Sequence, residues 1–288
     1  MKKLLLSAIL LISVFAILAV AQTPKITVIK AGKLIDTEKG VVLNNQMILI
    51  ENNFIKAVGA NIQIPTNATV IDLSNATVMP GFIDMHVHLM NDAGGGFDAR
   101  NRSFVDSAVS SHIFAKRTLE AGFTTVRDLG SVGFVSLAMK NAINEGRFPG
   151  PRMAIANYYI GATGSPADLS RSPWMQSLMP PEMTGIADGV DAIRKRVRYM
   201  VKNGADVIKF GASSGVLSDE AVVGVPKYSQ EEMNALVEES RMLGVKVAAH
   251  SHGTEAIKMA IKAGVSSIEH GSLIDDEGIR LMKERGTY

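Results

Sequence analysis

Short apolar segments alternate with longer amphipathic segments along residues 78–288. Helical periodicity runs through residues 105–121, 190–203 and 230–243, and each of these is followed by a glycine that suits the end of a helix. Alternation of this kind predicts βα units around a parallel sheet. The apolar segments predict six strands, over residues 78–85, 123–127, 152–156, 206–210, 245–250 and 266–269.

Residues 25–78 have a different pattern, because β-prone segments are separated by turn residues such as Asn52, Asn53 and Gly59. The predicted strands cover residues 26–29, 46–50, 54–58 and 69–73. This stretch contains no histidine. We therefore expect a small N-terminal β domain whose role is packing rather than chemistry.

The second region predicts a (β/α)8 barrel that the printed sequence leaves incomplete. Residues 157–188 read as a long loop after the third strand, residues 275–284 as a further helix, and residues 286–288 as the start of a seventh strand. A barrel needs eight strands to close, so we expect this chain alone to be inactive and prone to aggregate. A doubly wound open sheet is the alternative fold, although no G-x-G-x-x-G follows the first strand.

The first 21 residues have the pattern of a secretory leader. Lys2 and Lys3 precede an apolar run over residues 4–20, and Ala19-Val20-Ala21 supplies small residues of the kind that signal peptidases require. We expect cleavage after Ala21 and a periplasmic or secreted mature chain without stable membrane association. An uncleaved anchor is the alternative, because the apolar run approaches the roughly 20 residues that span a bilayer. The predicted domains are thus residues 1–21, 22–78 and 79–288.

Composition narrows the chemistry and the partners. The 288 residues carry 30 Lys and Arg against 28 Asp and Glu, a formal net charge of +2, and removal of the leader makes the chain neutral. This balance argues against a nucleic-acid partner and does not exclude a homo-oligomer. No cysteine is present, so any metal must be held by histidine, carboxylate or a modified side chain.

Five of the six histidines lie at the ends of predicted strands. His86 and His88 are two residues apart after the first barrel strand, so both imidazoles point to one face and can share a metal ion. His250 and His252 end the fifth strand and His270 ends the sixth, but spacing does not decide which of the fifth-strand pair is a ligand. Barrel enzymes place catalytic groups at these strand ends, so the sequence predicts a metal site there.

A single lysine, Lys209, interrupts the apolar fourth strand. Burial of an ammonium group without a partner is costly, so Lys209 points outward, pairs with a carboxylate such as Asp84 or Asp128, or is modified. Carbamylation by carbon dioxide turns the amine into a carboxylate that can bridge two metal ions. This third option suits a site lined by histidines.

The order of these residues along the strands resembles the amidohydrolase superfamily, and the stretches 249–250 and 268–271 are similar to its imidazolonepropionase-like and Xaa-Pro dipeptidase-like branch. The resemblance covers residues 25–288 and implies an N-terminal β-sandwich. It implies that His86 and His88 bind one divalent metal ion, that His250 and His270 bind a second, and that carbamylated Lys209 bridges them. Zinc is the expected metal. The family's last ligand, an aspartate that is also the general base, has no counterpart before Tyr288.

The resemblance further implies an amide hydrolase in which a metal-activated bridging hydroxide attacks the substrate carbonyl. A small peptide-like molecule, such as a dipeptide or an N-acyl amino acid, is the expected substrate. Cyclic amides, lactones and phosphotriesters are alternatives on the same site, and an inactive metal-binding protein is the alternative from another class.

Two further side chains are candidates for contacting the substrate. We predict that His252 and Tyr228 donate to the carbonyl oxygen or to a substrate carboxylate. Tyr228 also has a structural interpretation, because it precedes a helix whose predicted N-cap is Ser229. Arg127 and Glu269 are expected either to steady the site or to form structural ion pairs.

Overall fold

The structure is a computed structural model that describes residues 24–90, 103–168, 184–216 and 222–288. The predicted signal peptide and residues 169–183 of the predicted long loop lie outside the described residues. The chain divides into two units, residues 1–80 and 81–288. Within the described part of the chain, no helix has both the length and the apolar character needed to cross a bilayer.

The described part of the first unit is one four-stranded sheet in the order β3-β2-β1-β4. Strand β1 is antiparallel to β2 and parallel to β4. The strands are β1 (Ile26–Asp36), β2 (Val41–Glu51), β3 (Phe54–Gly59) and β4 (Thr69–Val78). All four predicted segments lie within these strands. This one sheet is what the described residues 24–80 form, and the second layer of the expected β-sandwich stays a prediction.

Six parallel strands of the second unit follow one another in chain order. Asp206 N donates to Ile155 O over 2.8 Å, and Ile160 bridges Phe210, so the first three strands join the last three. This order is that of a βα barrel and not of a doubly wound sheet. The strands are β5 (Phe82–Val87), β6 (Phe123–Asp128), β7 (Arg152–Ile155), β8 (Val207–Gly211), β9 (Lys246–Ser251) and β10 (Ser267–His270).

The first barrel strand begins later than the sequence suggested. Residue 78 ends β4, and β5 begins only at Phe82. Pro80 lies between them and has no N–H to donate to a strand ladder, so the apolar run is broken into two strands. Because β5 runs from Phe82 to Val87, His86 lies within the strand and His88 lies just beyond its end.

Helices alternate with the barrel strands in the described residues. Capping boxes begin two of them: Ser103 caps the helix that contains Asp106 in its first turn, and Ser229 caps the helix that contains Glu232 in its first turn. Gly204 follows α3 with φ +80°, as the prediction of a glycine at the helix end requires. The helices are α1 (Phe104–Glu120), α2 (Val135–Asn144), α3 (Val190–Lys202), α4 (Gln230–Met242), α5 (Thr254–Ala263) and α6 (Asp276–Arg285).

The outer edge of β10 is partly covered by the last residue of the printed sequence. Tyr288 N donates to Ser266 O over 3.1 Å, and Ile268 N donates to Tyr288 O over 2.8 Å. These two bonds flank Ser267, and this is the hydrogen-bond pattern of a residue on a parallel neighbouring strand. Tyr288 thus lies at the position that the predicted seventh strand would take beside β10.

Candidate metal centre

The histidines predicted to form the site lie at the carboxyl ends of β5, β9 and β10. His86 and His88 have ring centroids 5.3 Å apart, as expected for residues two apart in a strand. His88 Nδ1 lies 2.9 Å from Gly130 O, at the end of the neighbouring strand. A backbone carbonyl can only accept, so Nδ1 carries the proton and Nε2 of His88 is left for a ligand.

The second group consists of His250, His252 and His270, whose side chains each place one ring nitrogen within 4.8 Å of the others. The ring centroids of His250 and His270 are 4.6 Å apart, and those of His250 and His252 are 4.8 Å apart. His270 also lies 5.0 Å from the His86 ring. The structure thus brings the ends of three strands into one cluster of imidazoles.

His270 reaches this cluster through an unusual backbone conformation. In the parallel ladder Glu269 pairs with His250, so regular alternation would turn His270 to the opposite face of the sheet. His270 instead has φ +74°, a left-handed value that is rare for a residue with a side chain. Residues held in such conformations cluster at functional sites, because surrounding contacts must maintain them.

Lys209 lies in β8 beneath the imidazoles and is 1% exposed. Its Nζ atom is 3.4 Å from His86 Nε2 and 5.4 Å from the centre of the Tyr159 ring. Burial lowers the pKa of Lys209 to about 7, although the carboxylate of Glu269 opposes the shift. Because this pKa is close to neutral pH, a substantial fraction of the amine is uncharged at neutral pH.

Two imidazole nitrogens face the site without a protein partner. His250 Nε2 and His252 Nε2 are both buried and have no hydrogen bond among the described residues. Burial lowers the pKa of His250 to about 2 and also lowers the pKa of His252, so burial favours the neutral form of both rings. Buried polar atoms are usually satisfied, and His250 Nε2, with the ring proton on Nδ1, offers the kind of unprotonated imidazole nitrogen that zinc prefers. The donor set therefore fits a divalent metal ion.

The two fifth-strand histidines differ in how they are held. His252 N donates to Ser213 Oγ over 2.9 Å, and its Nδ1 lies 2.8 Å from Ser272 Oγ. His250 has its backbone within the ladder, opposite Gly211 and Glu269. His252 is thus oriented by hydroxyl groups and His250 by the strand itself.

Tyr159 belongs to the site, although the sequence analysis did not single it out. Its ring faces Lys209 and lies 5.8 Å from the His250 ring. Gly211 makes room for it, because a Cβ at that position would be 2.9 Å from the Tyr159 hydroxyl. Its position in the sequence could have marked it as a site residue, because Tyr159 closely follows β7 and the ends of barrel strands carry the functional groups.

Tyr228 is placed in the core. The residue is 3% exposed, and its hydroxyl donates to Ala187 O over 2.7 Å. Its ring packs 6.2 Å from that of Phe210. A contact with substrate would require the hydroxyl to leave this acceptor, so that role stays a prediction without support from the geometry.

Asp128 is fully buried at the end of β6. Its carboxylate accepts from Leu89 N over 3.0 Å and from Gly130 N over 3.3 Å. Burial raises the pKa of Asp128 to about 7 against the effect of these two bonds. Asp128 thus ties the segment after His88 to the segment that accepts from the His88 ring, and it is not the ion-pair partner of Lys209.

Comparison with known proteins agrees with this geometry. The amidohydrolase family model matches residues 77–288. Ochratoxinase from Aspergillus niger is 33% identical to this chain, in an alignment that covers 94% of this chain and 59% of that protein. The chain therefore spans less than two thirds of the length of this curated relative.

Solved structures give the same assignment. The crystal structure of a Xaa-Pro dipeptidase with methionine bound in its active site is 37% identical, with a TM-score of 0.83 over 92% of this chain and 66% of that one. A prolidase complexed with N-methylphosphonate-L-proline is 32% identical, with a TM-score of 0.81 over 92% and 65% of the two chains. The predicted resemblance is confirmed, and the chain belongs to the amidohydrolase family.

Proposed function

We propose that the protein is an exported, metal-dependent hydrolase that cleaves the amide bond of a small peptide-like substrate, such as a dipeptide or an N-acyl amino acid. The observation that carries the proposal is the convergence of five imidazoles above one buried lysine. Relatives named ochratoxinase, Xaa-Pro dipeptidase and prolidase support a peptide-like substrate.

The donor set suits two divalent ions, for which zinc is our choice. His86 and His88 would hold one ion, His250 and His270 the other, and Lys209 would lie between the pairs. When bound, two such cations lower the pKa of a shared water and polarise the scissile carbonyl. The protein's contribution is to present neutral imidazoles in a fixed arrangement, because burial keeps rings such as His250 unprotonated.

Lys209 serves the site best as a carbamate. Its neutral amine, favoured by burial, adds to carbon dioxide with formation of an N–C bond and release of one proton. The product carries a negative charge and two oxygen atoms where an ammonium would repel cations. Lys209 thereby changes from a group that opposes metal binding into one that supports it.

His252 is our candidate for the group that contacts the substrate oxygen. If Ser272 Oγ donates to Nδ1 over their 2.8 Å separation, the ring proton lies on His252 Nε2. That nitrogen is buried and has no acceptor among the described residues, so it is ready to donate to a carbonyl oxygen or carboxylate. Buried donors of this kind stabilise the charge that develops on oxygen during acyl transfer.

The function is tested by assaying the full-length gene product, loaded with zinc, against Xaa-Pro dipeptides, N-acyl amino acids, a lactone and a phosphotriester. We expect release of free amine from the amides, loss of activity with a chelator and recovery with zinc. His250→Ala should abolish turnover. His112→Ala is the matched control, because His112 lies on α1, where its ring bonds to Val109 O of the same helix and lies 6.1 Å from the Phe148 ring. Turnover of the lactone or phosphotriester without cleavage of any amide would contradict the proposal.

Export is a separate part of the proposal. It is supported by Lys2, Lys3, the apolar run over residues 4–20 and the small residues at Ala19 and Ala21. N-terminal sequencing of protein recovered from a secreting host should find Gln22 as the first residue. An intact Met1 on that protein would show an anchor instead.

A further inference from the structure

Arg127, in β6, connects the first strand of the barrel with the sixth. Its Nε donates to Met85 O over 2.6 Å, its Nη1 to Ser267 Oγ over 3.2 Å and its Nη2 to Glu269 Oε1 over 2.7 Å. The side chains of Arg127 and Glu269 are only 14% and 7% exposed. A guanidinium with three fixed bonds holds its carboxylate partner in one orientation.

Glu269 uses its other oxygen on a candidate metal ligand. Its Oε2 lies 2.9 Å from His86 Nδ1, while Ser267 Oγ donates to Oε1 over 2.6 Å. An ionised carboxylate only accepts, so Nδ1 of His86 carries a proton. In the neutral form of the ring, Nε2 is then unprotonated, on the side that faces Lys209 Nζ at 3.4 Å.

We propose that Arg127 and Glu269 form a positioning pair that fixes His86 in its Nδ1–H form, so that Nε2 is the atom available to a metal ion. An ion pair with only a structural role is best made by two parallel bonds to both carboxylate oxygens. Here the guanidinium contacts one oxygen and leaves the second to the imidazole.

The same strand also supplies a ligand. Glu269 is followed directly by His270, whose ring lies 5.0 Å from that of His86. The end of β10 therefore both orients a candidate ligand of one metal ion and provides a candidate ligand of the other. This inference deepens the proposed function, but its first test below does not depend on metal binding.

The first test measures the proton position directly in metal-free protein. Long-range 1H–15N correlation spectra of histidine-labelled protein, at a pH where His86 is neutral, should show its proton on Nδ1. In the double variant Arg127→Met/Glu269→Met the proton should move to Nε2, because no acceptor remains beside Nδ1. The double variant removes both buried charges together, which avoids an unpaired ion in the core. A wild-type His86 with its proton on Nε2 would overturn the proposal.

The second test measures zinc affinity by competition with a chromophoric chelator. Loss of an outer partner of a ligating histidine typically weakens metal binding about 10–100-fold, and we expect this for Glu269→Gln and for the double variant. Glu239→Gln is the matched control, because Glu239 is 2% exposed and paired with Arg194 and Arg198, with no histidine partner. Unchanged zinc affinity in the folded double variant would overturn the proposal. A wild-type protein that binds no zinc contradicts the proposed function, while the spectra still decide the positioning role.

Discussion

The imidazole rings of His252 and His270 lie face to face, with planes 12° apart and centroids 4.7 Å apart, although the two residues lie at the ends of different strands. The arrangement depends on the φ of +74° at His270, which breaks the alternation of β10 after Glu269. The backbone conformation of this one residue therefore brings the His270 imidazole into the cluster, whereas regular strand geometry would turn it away.

The strain at His270 predicts an unusual order of stabilities. Glycine adopts a left-handed φ without steric cost and alanine does not, so His270→Gly should be more stable than His270→Ala by about 1 kcal/mol in metal-free protein. At His250, inside regular strand, the order should reverse, since glycine weakens a strand. Urea unfolding of the four variants measures both differences. A His270→Ala variant more stable than His270→Gly would contradict the strain.

The two histidines at the end of β9 are expected to have separable roles. His250→Ala should lose about one metal equivalent per chain, because His250 Nε2 is proposed as a ligand. His252→Ala should keep its metal and lose turnover, because His252 is proposed to contact the substrate oxygen, and removal of one such donor costs about 10²–10³ in kcat. Metal analysis and kinetics of both variants decide the matter. Loss of metal from His252→Ala with retention in His250→Ala would reverse the assignment.

Asp128 makes stability depend on pH in a defined direction. Burial raises its pKa to about 7, so the folded protein holds this proton more tightly than the unfolded chain, in which the pKa is close to 4. Its contribution to the free energy of unfolding is therefore largest below about pH 4 and falls, by a few kcal/mol at most, as the pH rises to about 7.

Asp128→Asn does not titrate and isolates this contribution. The free energy of unfolding of the wild type, minus that of the variant, should decrease from about pH 4 to about pH 7 in metal-free protein. Asparagine keeps one acceptor oxygen, so the slope with pH is diagnostic and the absolute difference is not. A difference that stays constant across this range would show that Asp128 is not perturbed.

Local pattern was sufficient for much of this fold. Apolar runs and following glycines predicted all six barrel strands and the main helices, because strand and helix periods are properties of short segments. The strand ends then predicted which side chains meet, since parallel strands in a barrel open to one face. The structure brings His86, His88, His250 and His270 together as these strand ends predicted, and Lys209 was singled out because it interrupts an apolar strand.

The remainder depends on contacts that no short segment encodes. The bond between His86 and Glu269 joins the first and sixth strands, and its register is set by closure of the sheet. The left-handed backbone of His270 reverses the face that alternation predicts. The buried Tyr228 hydroxyl donates to Ala187 O, and Ala187 lies in a distant segment just before α3.

Lys209 is the residue on which the proposed site depends most: its Nζ lies 3.4 Å from His86 Nε2, and burial lowers its pKa to about 7. The most direct measurement is the metal content of Lys209→Ala, in the full-length gene product, with and without a small carboxylic acid in solution. We expect this variant to lose metal and activity and to regain part of both with the acid, which can occupy the space of the carbamate. Lys209→Arg should not recover, because its guanidinium stays charged and fills the same space. Wild-type metal content and activity in Lys209→Ala without added acid would contradict the carbamate and the two-metal site.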